Sequence, residues 1–275
     1  MFSSNRFRAA ALLSSLCLAP ILTYAQSSPK AFAKAGPSTA RSLPKVVVNS
    51  GRDQIMPFVY DGNGWTTMIV LTNLDNHTIS VHVQFTANDG TLLSFPVNGI
   101  GDASDVYVTI PSGGNYSIVT SGFAAQRTSG YAYVTAQNGT DLFGGYGVAR
   151  NQTTGLPDIE FTIPFTPLDE NVFTLSFDNT AGFSTYAVLI NSSSNNASIN
   201  VSVQDSQGNV LVTDQISLSP FARYVFNLGD VYPVVNGLVG NVYFSASGAQ
   251  LVAGSGLRQG PYQSFTLIPT LSLPR

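Results

Sequence analysis

Cysteine is all but missing from this 275-residue chain: the single copy, Cys17, lies within the first 25 residues. Downstream of it a disulfide framework and thiol chemistry are both excluded. Lysine is confined to Lys30, Lys34 and Lys45. Beyond Lys45, six arginines stand against all 15 acidic residues, a net charge of −9. That sign argues against nucleic acid, whose phosphates are bound by neutralising Lys and Arg, and against anionic membrane surfaces. Charged residues of any kind are only 10% of the chain, so Ser, Thr, Asn, Gln and Gly must supply the polar surface. Imidazole is scarce, with His77 and His82 alone. Sustained helical periodicity is absent after residue 25, because Gly and Pro interrupt every candidate before three turns are complete.

What is present is strand material. The chain holds 17 Phe and 12 Tyr and is 44% hydrophobic, a composition far from that of a disordered chain. At the start, Arg6 and Arg8 precede an apolar stretch from Ala9 to Ile21, and Thr23-Tyr24-Ala25 offers a small residue for cleavage. This is the pattern of a secretory signal over residues 1–25. Ser14, Ser15 and Pro20 break the apolar run, which is shorter than the ~20 residues a membrane span needs. Leu16 before Cys17 does not suit a lipoprotein signal, which wants a small residue there. The expectation is a secreted or cell-envelope protein with no membrane span after cleavage. Residues 26–45, with Pro29, Pro37 and Pro44, read as a flexible leader.

One phrase occurs twice. The first copy is Pro57-Phe58-Val59-Tyr60-Asp61-Gly62-Asn63-Gly64-Trp65-Thr66-Thr67, then an apolar run ending at Asn73. The second is Leu175-Ser176-Phe177-Asp178-Asn179-Thr180-Ala181-Gly182-Phe183-Ser184-Thr185, then an apolar run ending at Asn191. Gly64 and Gly182 are 118 positions apart, as are Asn73 and Asn191. That period is a whole domain, since solenoid repeats run about 20–50 residues. Other landmarks keep the same order. Val203-Gln204 answers Val83-Gln84, Gln207-Gly208 answers Asp89-Gly90, and Ser219-Pro220 answers Ile110-Pro111. Gly240-Asn241-Val242 answers Gly130-Tyr131-Ala132, and Gly254-Ser255-Gly256 answers Gly145-Tyr146-Gly147.

Each copy carries about seven to nine short β-branched or alternating runs with turns between them, the signature of a sandwich. In Ser80-Val81-His82-Val83-Gln84-Phe85 every second side chain is apolar, which puts Val81, Val83 and Phe85 on one face. Asp61-Gly62-Asn63-Gly64 reads as a hairpin turn. Asn98 to Ala103 has no counterpart in the second copy and reads as an inserted surface loop. The fold expected is all-β: two tandem Ig-like β-sandwich domains related by internal duplication, over residues 46–166 and 167–275, touching through a short linker near Thr166-Pro167-Leu168-Asp169-Glu170.

The pattern Asp-Gly-x-Gly-Trp-x-Thr, an apolar strand ending in Asn, then Val-x-Val-x-Phe and Asp-Gly-x-x-Leu, resembles an uncharacterised β-rich repeat of exported bacterial proteins. Asp61, Gly62, Gly64, Trp65, Thr67, Asn73, Val81, Val83, Phe85, Asp89, Gly90 and Leu93 carry it. The second copy has Phe183 for the Trp. The resemblance implies an extracellular or envelope β module, and supplies no catalytic residues.

Catalytic chemistry finds little footing. Two histidines, in a turn and on a polar strand face, have no Gly-x-Ser-x-Gly elbow and no cysteine to complete a zinc site. Asp158 and Glu160 share a strand face and Asp169-Glu170 falls in the linker, but both pairs read as solvated surface acids rather than a glycosidase pair. Asp61-Gly62-Asn63 resembles the start of a calcium loop without its later acidic ligands. The reading is therefore non-enzymatic, without cofactor or metal: a structural or adhesive module whose partner is a surface polysaccharide or protein. The loops Asn98–Ser104 and Gly113–Tyr116 are the candidate contact surface. The alternative is a carbohydrate-binding module in which Tyr60 and Trp65 stack on sugar rings. Phe183 at the position of Trp65 equally suits a plug between sheets.

Overall fold

The structure is a computed structural model and describes residues 53–152, 158–168, 171–247, 251–261 and 264–272. The expected signal, the leader and the pair Asp169-Glu170 lie outside the described residues. The strands are β1 (Gln54–Asp61), β2 (Trp65–Asn73), β3 (Ile79–Thr86), β4 (Phe95–Val97), β5 (Gly101–Ala103), β6 (Asp105–Ile110), β7 (Asn115–Val119), β8 (Thr128–Ala136), β9 (Phe143–Asn151), β10 (Ile159–Pro164), β11 (Thr166–Pro167), β12 (Val172–Asp178), β13 (Ser184–Asn191), β14 (Ala197–Asp205), β15 (Val210–Leu218), β16 (Arg223–Asn227), β17 (Val239–Ala246), β18 (Val252–Gln259), β19 (Phe265–Ile268) and β20 (Leu271–Ser272). One helical turn, α1 (Leu228–Val231), and a 3-10 turn at Pro233–Val235 follow β16. No helix among the described residues is long and apolar enough to cross a membrane.

In the first half a five-stranded sheet, β11-β1-β8-β3-β6, packs on a four-stranded sheet, β10-β9-β2-β7, with β4-β5 as a small hairpin. In the second half the sheets are β20-β12-β17-β14-β15 and β19-β18-β13-β16. Strand for strand, the two orders agree. The alternation read from the sequence is what builds each layer: Val81, Val83 and Phe85 of β3 and Val106, Val108 and Ile110 of β6 are buried, while the residues between them are more exposed. Burial of each such side chain contributes about 1.5–3 kcal/mol. The order differs from the immunoglobulin constant fold, in which the first strand lies beside the second and the seventh beside the sixth. Here β1 pairs with β8, and β9 pairs with β2.

The register supports the 118-residue spacing. Val59 pairs with Gly130 and Phe177 with Gly240; Leu71 pairs with Gly145 and Leu189 with Gly254. Each member of the pair Gly130 and Gly240 lies so close to the neighbouring strand that a Cβ would come 2.4 Å from Thr86 O or 2.0 Å from Gln204 O. The motif residues also repeat their bonds. The Thr67 hydroxyl accepts the Tyr60 N–H and donates to the Tyr60 carbonyl, as Thr185 does for Asp178. Asn73 donates to His77 O and Ile110 O, and Asn191 donates to Asn195 O and Leu218 O. These buried amides fasten the turn after the second strand of each half to the end of a strand in the other sheet.

Four expectations need correction. The turn at Asp61–Gly64 is tight, with Gly62 and Trp65 exchanging 3.0 Å bonds and positive φ at Gly62, Asn63 and Gly64. It does not join sheet neighbours, because β1 and β2 belong to opposite sheets. The insertion at Asn98–Ala103 folds as part of the β4-β5 hairpin, since Phe95 pairs with Ala103 and Val97 with Gly101. Val83 corresponds to Val201, not Val203: they pair with Val134 and Phe244, each four residues past its glycine. A two-residue slip keeps every side chain on its face, so alternation alone does not detect it. Likewise the Asn73 and Asn191 N–H groups donate to Gly114 O and Ala222 O, which makes Pro111 the counterpart of Ser219 rather than Pro220.

The halves share apolar packing. Ala187 and Leu189 of β13 point into the second core, whereas Val188 and Ile190, with Ala253 and Leu257 of β18, pack into the cluster of the first half. A strand buried on both faces ties the sandwiches together, and the described residues of both halves form one compact unit.

Candidate functional site

Tyr60 and Trp65, the stacking pair of the carbohydrate reading, meet at the end of the first sandwich. Their ring centres are 5.0 Å apart, and Phe161 crosses both edge-on at 6.4 and 6.2 Å. Phe161 in turn contacts Phe265 of β19 at 5.6 Å, so an aromatic row runs from one half into the other. Burial raises the Tyr60 hydroxyl pKa above the ordinary phenolic value. An open groove between β10 and β19 lies nearby, lined by Phe161, Pro164, Phe265 and Leu267 but by neither Tyr60 nor Trp65. Phe183 sits under the Arg258 guanidinium, 3.4 Å from the ring centre. Rings at both matching positions are thus engaged by their own protein.

The two histidines sit in separate carboxylate contacts. His77 has Nδ1 3.4 Å from Asp75 Oδ1 and Nε2 3.2 Å from Asp141 Oδ1. Oxygen and nitrogen atoms of this trio lie within 4.8 Å of one another. The carboxylates approach opposite ring nitrogens, however, and a single ion would use only one of them. The Leu142 N–H holds Asp75 below the usual carboxylate range. The arrangement joins the β2–β3 turn to the β8–β9 turn. His82 Nε2 lies 2.8 Å from Asp105 Oδ1, and its ring stacks on Tyr107 at 4.3 Å. Burial raises Asp105, but bonds from Ser104, Gln84 and His82 outweigh it and leave the carboxyl below its ordinary pKa. Ser104 donates to Asp105 rather than to His82, an arrangement that does not activate a serine.

The acid pairs behave as surface groups. Asp158 is held low by Arg150, 2.8 Å away, and Glu160 lies 3.9 Å from the same guanidinium. A glycosidase acid requires the opposite shift. Asp61 is buried and accepts the Gly122 N–H at 2.7 Å; an amide donor there is not part of a calcium shell. Of the candidate loops, Asn98–Ser104 is sewn to β7 by Asn98 N–H to Val119 O, and Gly113–Tyr116 leads into that same strand.

A dense cluster of side-chain hydrogen bonds centres on Arg223, at the start of β16. Its N–H and Nε donate to the Asn88 carbonyl and Oδ1, each at 2.9 Å. Nη1 donates to Pro57 O at 2.8 Å and to Gly130 O, and Nη2 reaches Ser129 Oγ at 3.4 Å. The guanidinium also lies 5.8 Å from the Phe58 ring centre. The site exists because β1 carries a bulge between Met56 and Val59, where Pro57 interrupts the ladder. A bulge takes a carbonyl out of strand pairing, and Arg223 satisfies it. Arg223 is 5% exposed, and no carboxylate among the described residues forms an ion pair with it. Burial lowers its pKa to about 10, so it remains charged at neutral pH.

Above this clamp, Tyr131 donates to Phe221 O at 2.8 Å. A Cβ on Gly90 would lie 2.3 Å from Pro220 O, so the turn before β4 seats directly on the β15–β16 connection. Phe221 is held at φ +56°, a strained value for a bulky residue. Between these walls runs a groove of about 300 Å³. Gln84, Thr86, Tyr131 and Tyr133 line it from the first half, and Ser192 and Phe221 from the second.

Neither Arg223 nor the groove was anticipated from sequence. One signal was there: Arg223 is the only base between Arg150 and Arg258, set in Phe221-Ala222-Arg223-Tyr224-Val225-Phe226. A charge in so apolar a strand needs a polar reason. Comparison with protein-family models, with curated proteins and with solved structures returns no match.

Proposed function

We propose that the chain is an exported, non-enzymatic module with a structural or adhesive role at a cell surface, formed by duplication of one Ig-like sandwich unit whose first and seventh strands have exchanged neighbours. The observation that carries this reading is the junction. Arg223, inserted into the first half, and Val188, Ile190, Ala253 and Leu257, packed on it, fix two sandwiches in one body. A fixed double sandwich suits a protein that displays or spaces surfaces. The net charge of −9 beyond Lys45 disfavours nucleic acid as its partner.

Export is tested by expressing the whole chain in a bacterial host beside a version lacking residues 1–25. The whole chain should reach the extracytoplasmic fraction with a new N-terminus after Ala25, read by mass spectrometry. Equal cytoplasmic retention of both would contradict export. Adhesion is tested by retention of the purified mature chain on cells, which should survive Trp65→Phe. Retention that follows Trp65 would favour the sugar-stacking role of Tyr60 and Trp65 instead.

A further inference from the structure

We propose that the groove between the halves binds a neutral stretch of glycan. The inference deepens the adhesive reading and takes from it only the extracellular setting.

The lining sets the ligand class. No Lys, Arg, Asp or Glu lines the groove, so nothing there would pair with a phosphate or carboxylate, and the nearby Asp53 and Asp105 are already bonded to Tyr133 and Gln84. What it offers are the Tyr133 and Ser192 hydroxyls, the Gln84 amide, and the apolar surfaces of Leu92 and Phe221, with Thr86 and Tyr131 nearly buried behind them and the Tyr131 hydroxyl given to Phe221 O. A sugar ring presents that chemistry in mirror image: hydroxyls around its rim and an apolar C–H face for an aromatic side chain. The wall from the first half belongs to β3 and β8, both interior to their sheet. No free strand edge is available there for a peptide to extend, which removes the usual way of gripping an extended polypeptide. The volume, about 300 Å³, is at the lower bound of small-molecule sites and suits a short segment of a longer chain.

The groove is also fixed before any ligand arrives. Tyr131 holds the Phe221 carbonyl, Gly90 admits the Pro220 backbone, and Arg223 locks Asn88 below. Preorganised walls spare the ordering penalty that weakens binding to mobile loops. Phe221 is 43% exposed although its backbone is strained, and strain persists where the surroundings enforce it, often at binding sites. On the same sheet face, Gln84 pairs with Tyr133 on one side and Asp105 on the other, and the next row pairs His82 with Tyr107. Tyr107 is 62% exposed with one face on His82. It offers a second stacking surface along the route a glycan would take out of the groove.

The test titrates the mature chain with neutral gluco-, xylo-, manno- and N-acetylglucosamine oligosaccharides by calorimetry and NMR. At least one should bind saturably. Phe221→Gly removes the ring and, since glycine accepts positive φ freely, should keep the melting temperature while weakening affinity roughly tenfold or more. Gln84→Ala should weaken it in the same direction, and Trp65→Phe should leave it unchanged. No binding across the panel, binding indifferent to both Phe221→Gly and Gln84→Ala, or binding that follows Trp65→Phe would each overturn the proposal. Cell retention that persists in Phe221→Gly would overturn the groove as the adhesive surface while leaving the adhesive reading intact.

Discussion

Thr67 and Thr185 make the same pair of bonds 118 positions apart, each hydroxyl joining the N–H and C=O of a residue seven positions earlier. Thr67→Val keeps the shape and removes the hydroxyl, leaving the Tyr60 N–H without its partner and the Tyr60 carbonyl with the 3.3 Å bond from the Thr120 hydroxyl. We expect a loss of about 1–3 kcal/mol, read as a lower urea midpoint at unchanged m. Arg223 makes a sharper case. Arg223→Met leaves the Pro57 and Gly130 carbonyls in an apolar junction, and should lower stability by about 2–5 kcal/mol. Arg223→Lys should not restore it, because a single ammonium does not reproduce the planar set of donors shared among Asn88, Pro57, Gly130 and Ser129. Thermal melts of the two variants check both statements. The motif threonines and asparagines were legible as landmarks because their spacing is exact to the residue. The role of Arg223 was not, since it depends on a bulge in β1, 166 positions away.

Glycine decides how closely elements approach. Gly130→Ala and Gly240→Ala each force a Cβ onto a cross-strand carbonyl, and each should destabilise by about 1–3 kcal/mol. Gly139→Ala, with nothing within 4 Å of the added carbon, should change stability by less than about 0.5 kcal/mol. Chemical denaturation of the three variants separates crowding from loss of backbone freedom. At this scale the sequence was most readable. The alternation from Ser80 to Phe85 puts Val81, Val83 and Phe85 on the buried face of β3, because alternation is a local signal. Which sheet each strand joins is not local, and so the turn after Asp61 read as a hairpin although it crosses between layers. The β4-β5 hairpin escaped because each strand has only three residues, too few for a period to register.

Titration acts on the molecule as a whole. Asp75, Asp89, Asp105, Asp158, Asp178 and Asp205 are all held below the ordinary carboxylate pKa in the fold. Their contribution is complete above the unfolded value, about 3.9, and is lost as pH falls through the folded values. In base, burial raises Tyr60, Tyr131, Tyr133 and Tyr232, with Tyr131 moved to about 12. The fold then keeps protons that the unfolded chain releases, and stability falls as pH rises from the ordinary phenolic value of about 10. Arg223, lowered to about 10, works in the opposite sense with one proton against four. Melting temperature should therefore decline below about pH 4 and above about pH 10. The matching layout of the two halves could be read from spacing, but the fusion of both sandwiches into one body could not, because Val188 and Ile190 look like any apolar strand residues until their outer face is seen to be covered.

That fusion is open to a direct measurement. Trp65 is the sole tryptophan and lies in the first half, so its fluorescence follows that half, whereas far-UV circular dichroism follows both. Urea unfolding of the chain from residue 26 onward, recorded by the two probes, should give one coincident transition, as a single cooperative body requires. A circular-dichroism curve that splits into two steps, with Trp65 following only one of them, would contradict the account.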